Sequence, residues 1–268
     1  MGDPNMSAKD AIPPESLIEL SRTLGDPEAG LAILAEGNTS KRDGADQFWV
    51  KASGNSLCGI GPDGFVRVRS EPLLAALDGP ELSDEAVRTL LSSSVECGPE
   101  GLLPSVEAFM HAFLLTLPGV EVVGHTHPPS LLSLLCLDQA RDLADKRIFP
   151  DEIVCCGPAA CWVDYHDPGL PLAKELRKAA RGFDERFGAP PKTIWLQNHG
   201  LIALGASESE VLAATRMQVK AASVLLAALQ TGAGVRFLTA EEIERIHTRP
   251  DEHYRQRFLW GAPETAPD

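Results

Sequence analysis

Gly119-Val120-Glu121-Val122-Val123-Gly124-His125-Thr126-His127-Pro128 decides how this chain is read. Its first half is largely apolar and β-branched, and Pro128-Pro129 stops it, so the pattern predicts a short buried strand ending in a turn. Side chains alternate faces along a strand, so His125 and His127 point to the same side. Two imidazoles on one side, at the open end of a strand, make a ligand pair suited to zinc and related divalent metals. The same pattern also fits two surface histidines beside a loop, so the rest of the sequence must decide.

On the N-terminal side, Leu17, Ile18, Leu20 and Leu24 predict a helix over Glu15–Leu24, ended by Gly25. Leu31–Leu34 reads as a strand running into a small polar turn, Glu36-Gly37-Asn38-Thr39-Ser40. Phe48–Ala52 and Phe65–Arg69 are further strands, close enough together to pair antiparallel. Ser83-Asp84-Glu85 opens a helix with acidic residues in its first turn, and Pro104-Ser105 opens another that continues through Phe109, Phe113 and Leu117.

Beyond the histidines, Ser130–Leu137 reads as a short buried helix, Glu152–Cys156 as a strand and Leu172–Phe187 as a helix. Thr193–Gln197 and Leu201–Gly205 are strands joined by the turn Asn198-His199-Gly200. Ser207-Glu208-Ser209-Glu210 and Thr239-Ala240-Glu241-Glu242 are capping boxes. The first opens a helix to about Gln230 and the second a polar helix to about Trp260. With no internal repeat or low-complexity linker, the expectation is one α/β domain over 15–268. A loose arm over 1–14 precedes it, and a C-terminal helix starts near 239.

The chain has 268 residues, a net charge of −14 and a pI near 4.9. A surface so acidic repels nucleic acid and anionic membranes, so neither partner is expected. An anionic small substrate stays compatible, because a bound divalent cation dominates its local field. The start of the chain is polar, no signal peptide is expected, and no apolar run reaches the length of a membrane span. Six cysteines without a C-x-x-C pair read as reduced thiols near the core, consistent with a cytoplasmic location. Cys155, Cys156 and Cys161 are a weaker candidate for a soft-metal site.

A catalytic zinc-type site needs three protein ligands and an open position. His199, in a tight turn between two apolar strands, is the best third ligand. His111 reads as a packed helix residue, His166 as a loop residue, and His247 and His253 as solvated residues of the C-terminal helix. Glu107, in the expected first turn of the helix opened by Pro104-Ser105, is the best carboxylate, since the dipole there favours the anion. The turns at Gly37–Ser40 and Ser53–Asn55 offer N–H groups and hydroxyls able to hold a phosphate or carboxylate, though any hairpin turn offers the same.

Taken together, Glu36-Gly37-Asn38-Thr39-Ser40, Lys51-Ala52-Ser53-Gly54, Pro104-Ser105-Val106-Glu107, His125-Thr126-His127-Pro128 and Asn198-His199-Gly200-Leu201 resemble the class II aldolase/adducin family in order and spacing. The wording is most similar to the aldolase half of bifunctional rhamnulose-phosphate aldolase/short-chain dehydrogenase proteins. No G-x-G-x-x-G fingerprint follows, so no oxidoreductase half is expected. The resemblance implies a three-layer α/β/α fold with a central mixed, mostly antiparallel sheet, assembled as a homotetramer with sites at subunit interfaces.

The resemblance also implies His125, His127 and His199 as ligands of a divalent metal, zinc first, with manganese, iron or cobalt as alternatives. Glu107 becomes the acid/base, and Asn38, Ser53, Gly54 and Ser105 bind the substrate's anionic group. The implied activity is cleavage of a ketose phosphate or related hydroxy-keto compound through a metal-bound enediolate. Alternatives on the same site are dehydration, decarboxylation or epimerisation; family epimerases carry Asp where this chain has Glu107. A non-catalytic, adducin-like interaction module is a further alternative, which the complete histidine set disfavours. Val106 departs from the Ser-Ser-Glu of fuculose-phosphate aldolases and leaves a phosphate handle open. Neither tyrosine, Tyr165 nor Tyr254, matches the family's catalytic tyrosine, Tyr254 being the better placed.

Overall fold

Eight strands form one sheet in the order β4-β3-β2-β1-β5-β8-β7-β6. They are β1 (Asn38–Arg42), β2 (Gln47–Lys51), β3 (Phe65–Arg69), β4 (Val95–Cys97), β5 (Val122–Thr126), β6 (Cys161–Val163), β7 (Thr193–Leu196) and β8 (Gly200–Gly205). Every pairing is antiparallel except the parallel edge pair β6–β7, as a mixed, mostly antiparallel sheet requires. The computed structural model describes residues 11–250. Within the expected N-terminal arm, Ala11 packs against a buried cluster containing Leu17 and Phe65. Residues 1–10 and 251–268, with His253 and Tyr254, lie outside the described residues; the polar helix expected to reach about Trp260 ends at His247, where the N–H of Thr248 bonds back to Glu244 O and Ile246 O.

Strand alternation supplies both faces of the sheet. Val123, Phe48, Val50, Ile202 and Leu204 belong to a core with α2 (Ser70–Asp78), α4 (Ala108–Leu114) and α8 (Leu170–Phe187). Val122 and Ala203, one residue out of phase, pack against α1 (Glu15–Leu24) and α9 (Glu208–Gln230). Leu201 and Trp195 join α9 and α5 (Pro129–Leu135) in a second cluster on that face. The result is the expected helix–sheet–helix arrangement. By length and composition, α9 is the one helix among the described residues able to cross a membrane. Its buried residues, from Val211 and Ala214 to Leu225, lie on the face packed against the sheet and its neighbouring helices.

Several local expectations hold. The helix over Glu15–Leu24 forms, the turn Asn198-His199-Gly200 joins β7 and β8, and Ser83 and Thr239 accept N-cap hydrogen bonds. The Thr239–Glu242 box is reciprocal and opens α10 (Ala240–His247). At α9, Ser207 caps Glu210 N, but the Glu210 carboxylate reaches Ala206 N instead of closing the box.

Four further expectations are corrected. Leu31–Leu34 is a loop, not a strand: Leu31 and Ala32 are buried, Leu34 is 83% exposed with φ +52°, and the Glu36 carboxylate caps Ile33 N at 2.7 Å. Glu152–Cys156 belongs to a helix, α7 (Pro150–Cys156), started by Pro150 and stopped by Gly157 at φ +79°. Residues Asn38–Ser40, read as a turn, begin the buried central strand β1. The helix after Pro104-Ser105 begins only at Ala108, so Glu107 occupies its N-cap position, with no capping bond from its side chain, instead of the first turn.

Candidate metal centre

β5 runs through the middle of the sheet, and its neighbours bring the other site residues to its end. Asn38 of β1 lies opposite His125, and β8 pairs along the other side of β5 from Val122 to Thr126. The β7–β8 turn therefore delivers His199 beside His125 and His127, helped by Asn198 in the left-handed region at φ +52°. The ring centroids are 4.7 Å (125–127), 4.9 Å (125–199) and 5.2 Å (127–199) apart. One ligand atom from each residue lies within 4.8 Å of the others. His125 and His127 thus point to one side, as strand alternation predicts, and His199 is brought beside them.

The protonation pattern aims these rings at a common point. His125 Nδ1 faces Leu201 O at 2.9 Å, and His127 Nδ1 faces Glu36 Oε2 at 3.1 Å. Both partners only accept, so each Nδ1 carries a proton, and the neutral form of each ring turns a bare Nε2 toward the other. Those two Nε2 atoms stand 3.0 Å apart. At that distance the two nitrogens either share one proton or, both bare, turn their lone pairs on a common cation. The donor set therefore fits a divalent metal held by His125, His127 and His199, with outer partners fixing the imidazole tautomers.

Glu107 closes the fourth side. Its Oε1 is 3.3 Å from His199 Nε2, its Oε2 is 3.6 Å from His125 Nε2, and Asn38 Nδ2 donates to Oε2 at 2.7 Å. Oε1 is buried with no hydrogen-bond partner. Ser105 Oγ accepts from Asn38 Nδ2 and from Glu107 N, both at 3.3 Å, which leaves its own hydrogen free to donate. Ser53 N bonds Leu103 O and Ser105 N bonds Lys51 O, so the loops carrying Ser53-Gly54 and Ser105 lie side by side. With Lys51, Glu107 and His199 they line a cavity of about 180 Å³. A larger cleft of about 960 Å³ beside β6 and α8 contains none of the three clustered histidines. Donor chemistry, not size, selects the site.

Sequence reading missed three neighbours. Glu36 holds both the Ile33 loop and His127. Lys51 is buried, donates to Ala35 O and Asn55 O, and has its pKa lowered to about 8 by burial, against the pull of Glu107. His111 is a packed helix residue, as expected, but it also hydrogen-bonds Asn38 and Ser40. Glu36 and Lys51 sit inside the quoted motifs and could have been flagged there; His111 gave no signal beyond its helical position. Tyr165 is exposed, its hydroxyl bonds Asp167, and it does not line the site cavity. Cys156 and Cys161 are buried, which raises both thiols to about 12, and the one metal-competent cluster among the described residues is the histidine triad.

Two expected results arise here. A Cβ at position 200 would stand 2.6 Å from Thr126 O and 2.7 Å from His127 Cδ2. Gly200→Ala is expected to push His127 off the cluster, weaken binding of a divalent metal and cost about 1–3 kcal/mol of stability. Zinc titration and thermal melting check this; an unchanged zinc affinity would refute it. Burial also holds His111 and His125 down to about 3 and His199 to about 4, nearby imidazoles adding to the effect. Unfolded imidazoles titrate near 6.5. Between roughly pH 4 and 6.5 the unfolded chain thus binds more protons than the folded one, so stability rises with pH across that window. The melting temperature of metal-free protein should fall as pH drops through the window. Calorimetry at stepped pH tests this, and a flat profile would contradict neutral buried imidazoles.

A helix-flanked mixed sheet bearing a three-histidine cluster against a buried carboxylate defines an α/β protein with a candidate catalytic metal centre. The chain belongs to the Class II Aldolase and Adducin N-terminal domain family, whose model matches residues 15–226. It is 26% identical over 199 residues to Uncharacterized oxidoreductase YuxG of Bacillus subtilis, a match covering 71% of this chain and only 26% of that protein. The N-terminal class II aldolase domain of a conserved Thermoplasma acidophilum protein superposes with a TM-score of 0.63 at 28% identity, covering 82% of this chain and 99% of that one. An L-fuculose 1-phosphate aldolase gives 0.65 at 20% identity, covering 90% and 95%, a likeness of fold. Family and site together support an enzyme of the lyase or a related class. The fold implies a divalent metal, and the histidine triad is able to bind one.

Proposed function

We propose that the chain is a divalent-metal-dependent aldolase that cleaves a ketose phosphate or a related hydroxy-keto compound. The observation that carries this reading is the three-histidine cluster, its ligand atoms within 4.8 Å of one another, with the buried carboxylate of Glu107 against it. His125, His127 and His199 are the proposed ligands, with zinc first and manganese, iron or cobalt as alternatives. A bound ion supplies Lewis-acid stabilisation of the negative charge that carbon–carbon cleavage leaves on oxygen, an effect worth several kcal/mol. Neutral imidazoles leave that positive charge undiminished. Glu107 moves the proton between the nucleophile carbon and solvent, a role worth about 10²–10⁴ in rate. Ser105 donates its free hydroxyl hydrogen to the substrate's anionic group, with Ser53 and Gly54 alongside and Lys51 adding charge at the cavity wall; Asn38 lines the cavity with its amide already committed to Glu107, Ser105 and His111.

A retro-aldol screen of ketose phosphates and hydroxy-keto acids with zinc, manganese, iron and cobalt tests the reading. Carbon–carbon cleavage supports it; dehydration, decarboxylation or epimerisation without cleavage replaces it with another reaction on the same site. Light scattering of the purified protein tests the homotetramer carried over with the family, and a monomer would reject it.

Val106 lines the same cavity, 39% exposed, with methyls where a hydroxyl could donate. Val106→Ser is expected to lower KM for a phosphorylated substrate relative to its carboxylate counterpart by about tenfold, the value of one hydrogen bond to a charged group. An unchanged KM ratio would remove Val106 from the handle site.

A further inference from the structure

Ser40, His111 and Asn38 form a buried polar line that ends on one oxygen of Glu107. Ser40 Oγ lies 2.6 Å from His111 Nδ1, His111 Nε2 meets Asn38 Oδ1, and Asn38 Nδ2 lies 2.7 Å from Glu107 Oε2. All four side chains are buried. The direction of each bond follows from the last. A carboxylate only accepts, so Asn38 turns its NH₂ toward Glu107 and its carbonyl toward His111. That carbonyl only accepts, so the proton of His111 sits on Nε2. The neutral ring then offers Nδ1 as acceptor, and the Ser40 hydroxyl donates to it. Burial lowers the His111 pKa to about 3, in keeping with a neutral ring.

The line makes the two oxygens of Glu107 different. Oε2 is held by Asn38, whereas Oε1 is buried, accepts no hydrogen bond and faces His199 Nε2 at 3.3 Å. We infer that His111 is a positioning residue: its Nε2–H locks the Asn38 amide, which anchors Glu107 by Oε2 and leaves Oε1 as the oxygen that exchanges the substrate proton. His111 itself does not line the cavity. Without that donor the Asn38 carbonyl loses its buried partner, and only the long 3.3 Å bond from Nδ2 to Ser105 Oγ opposes a turn of the amide that would present its carbonyl to the carboxylate and release it. The effect on turnover rests on Glu107 as proton carrier; the bond line does not.

The experiment uses full-length, zinc-loaded protein with ¹⁵N-labelled histidine, the His111 signals being assigned by their loss in His111→Phe. The expected spectrum shows His111 in one neutral tautomer, protonated at Nε2, from pH 6.5 to 8.5. His111→Phe fills a similar space and should keep zinc stoichiometry. Its kcat, on the substrate found by the retro-aldol screen, should fall by about 10- to 100-fold, the usual cost of losing an outer-shell partner, while KM changes little. His111→Gln, which returns an N–H toward Asn38, should recover most of that loss. An Nδ1–H tautomer or an imidazolium in the wild type overturns the inference. So does wild-type kcat in His111→Phe, or a His111→Gln variant as slow as His111→Phe. A screen that finds no cleavage would sink the aldolase reading alone, since the tautomer still decides the direction of the bond line.

Discussion

Replacing Glu107 by Gln is expected to leave zinc content unchanged and to slow proton exchange at the nucleophile carbon by about 10²- to 10⁴-fold. The proposed ligands are three imidazoles, so a neutral side chain at 107 removes none of them. Gln is close to isosteric, and its carbonyl still accepts from Asn38 Nδ2 in place of Oε2. The amide then falls in the position of Oε1, the oxygen without a hydrogen-bond partner, where it cannot take up a proton. Deuterium incorporation from solvent into the ketone product measures the effect, alongside metal analysis. Exchange at the wild-type rate would remove Glu107 from its role. Loss of metal instead would make Glu107 an obligatory ligand.

The second large effect is expected at His125. It lies at the centre of the cluster, wholly buried, with Nδ1 committed to Leu201 O and Nε2 3.0 Å from that of His127. His125→Ala leaves two imidazoles where a stable site needs three protein ligands. Metal affinity should drop by more than about 100-fold, beyond the cost of losing an outer-shell partner. Protein purified from zinc-supplemented medium should then carry little metal, with circular dichroism confirming the fold. If wild type and variant hold equally little metal, the chain is an adducin-like scaffold and not a metalloenzyme.

The sequence made most of the helices, though not α2, and the β7–β8 hairpin legible because apolar period, caps and turn residues agree there. Elsewhere that agreement broke, as at Leu31–Leu34, a loop with the apolar look of a strand. Glu152–Cys156 is apolar and β-branched in part, yet Pro150 and Gly157 bound a helix. β6 was missed because Cys161–Val163 is too short to show alternation. β1 is the instructive case. Asn38-Thr39-Ser40 looks like a turn because it is polar, but all three are buried in a central strand. Their polarity has specific partners: Asn38 meets Glu107, Thr39 meets Ser21 and Ser40 meets His111. Local rules fail where side chains are chosen for a site instead of for packing. The histidines and Glu107 were legible because their chemistry is rare and their spacing informative. Glu36, Lys51 and His111 were not singled out, since an outer partner is defined by strand register and loop closure, which no single segment contains.

The central pairing of β1, β5 and β8 also sets when the site comes into existence. Asn38 sits opposite His125 only after β1 has paired with β5, and His199 arrives only when β8 closes on the other edge of β5. These are long-range antiparallel contacts, the kind that form late because the intervening chain must first be ordered. An unfolded chain presents just the local His125–His127 pair, a two-point grip with neither the third imidazole nor the carboxylate. Metal therefore cannot template the early steps of folding. Its capture is a late event, and its binding energy favours the finished sheet over partly paired intermediates.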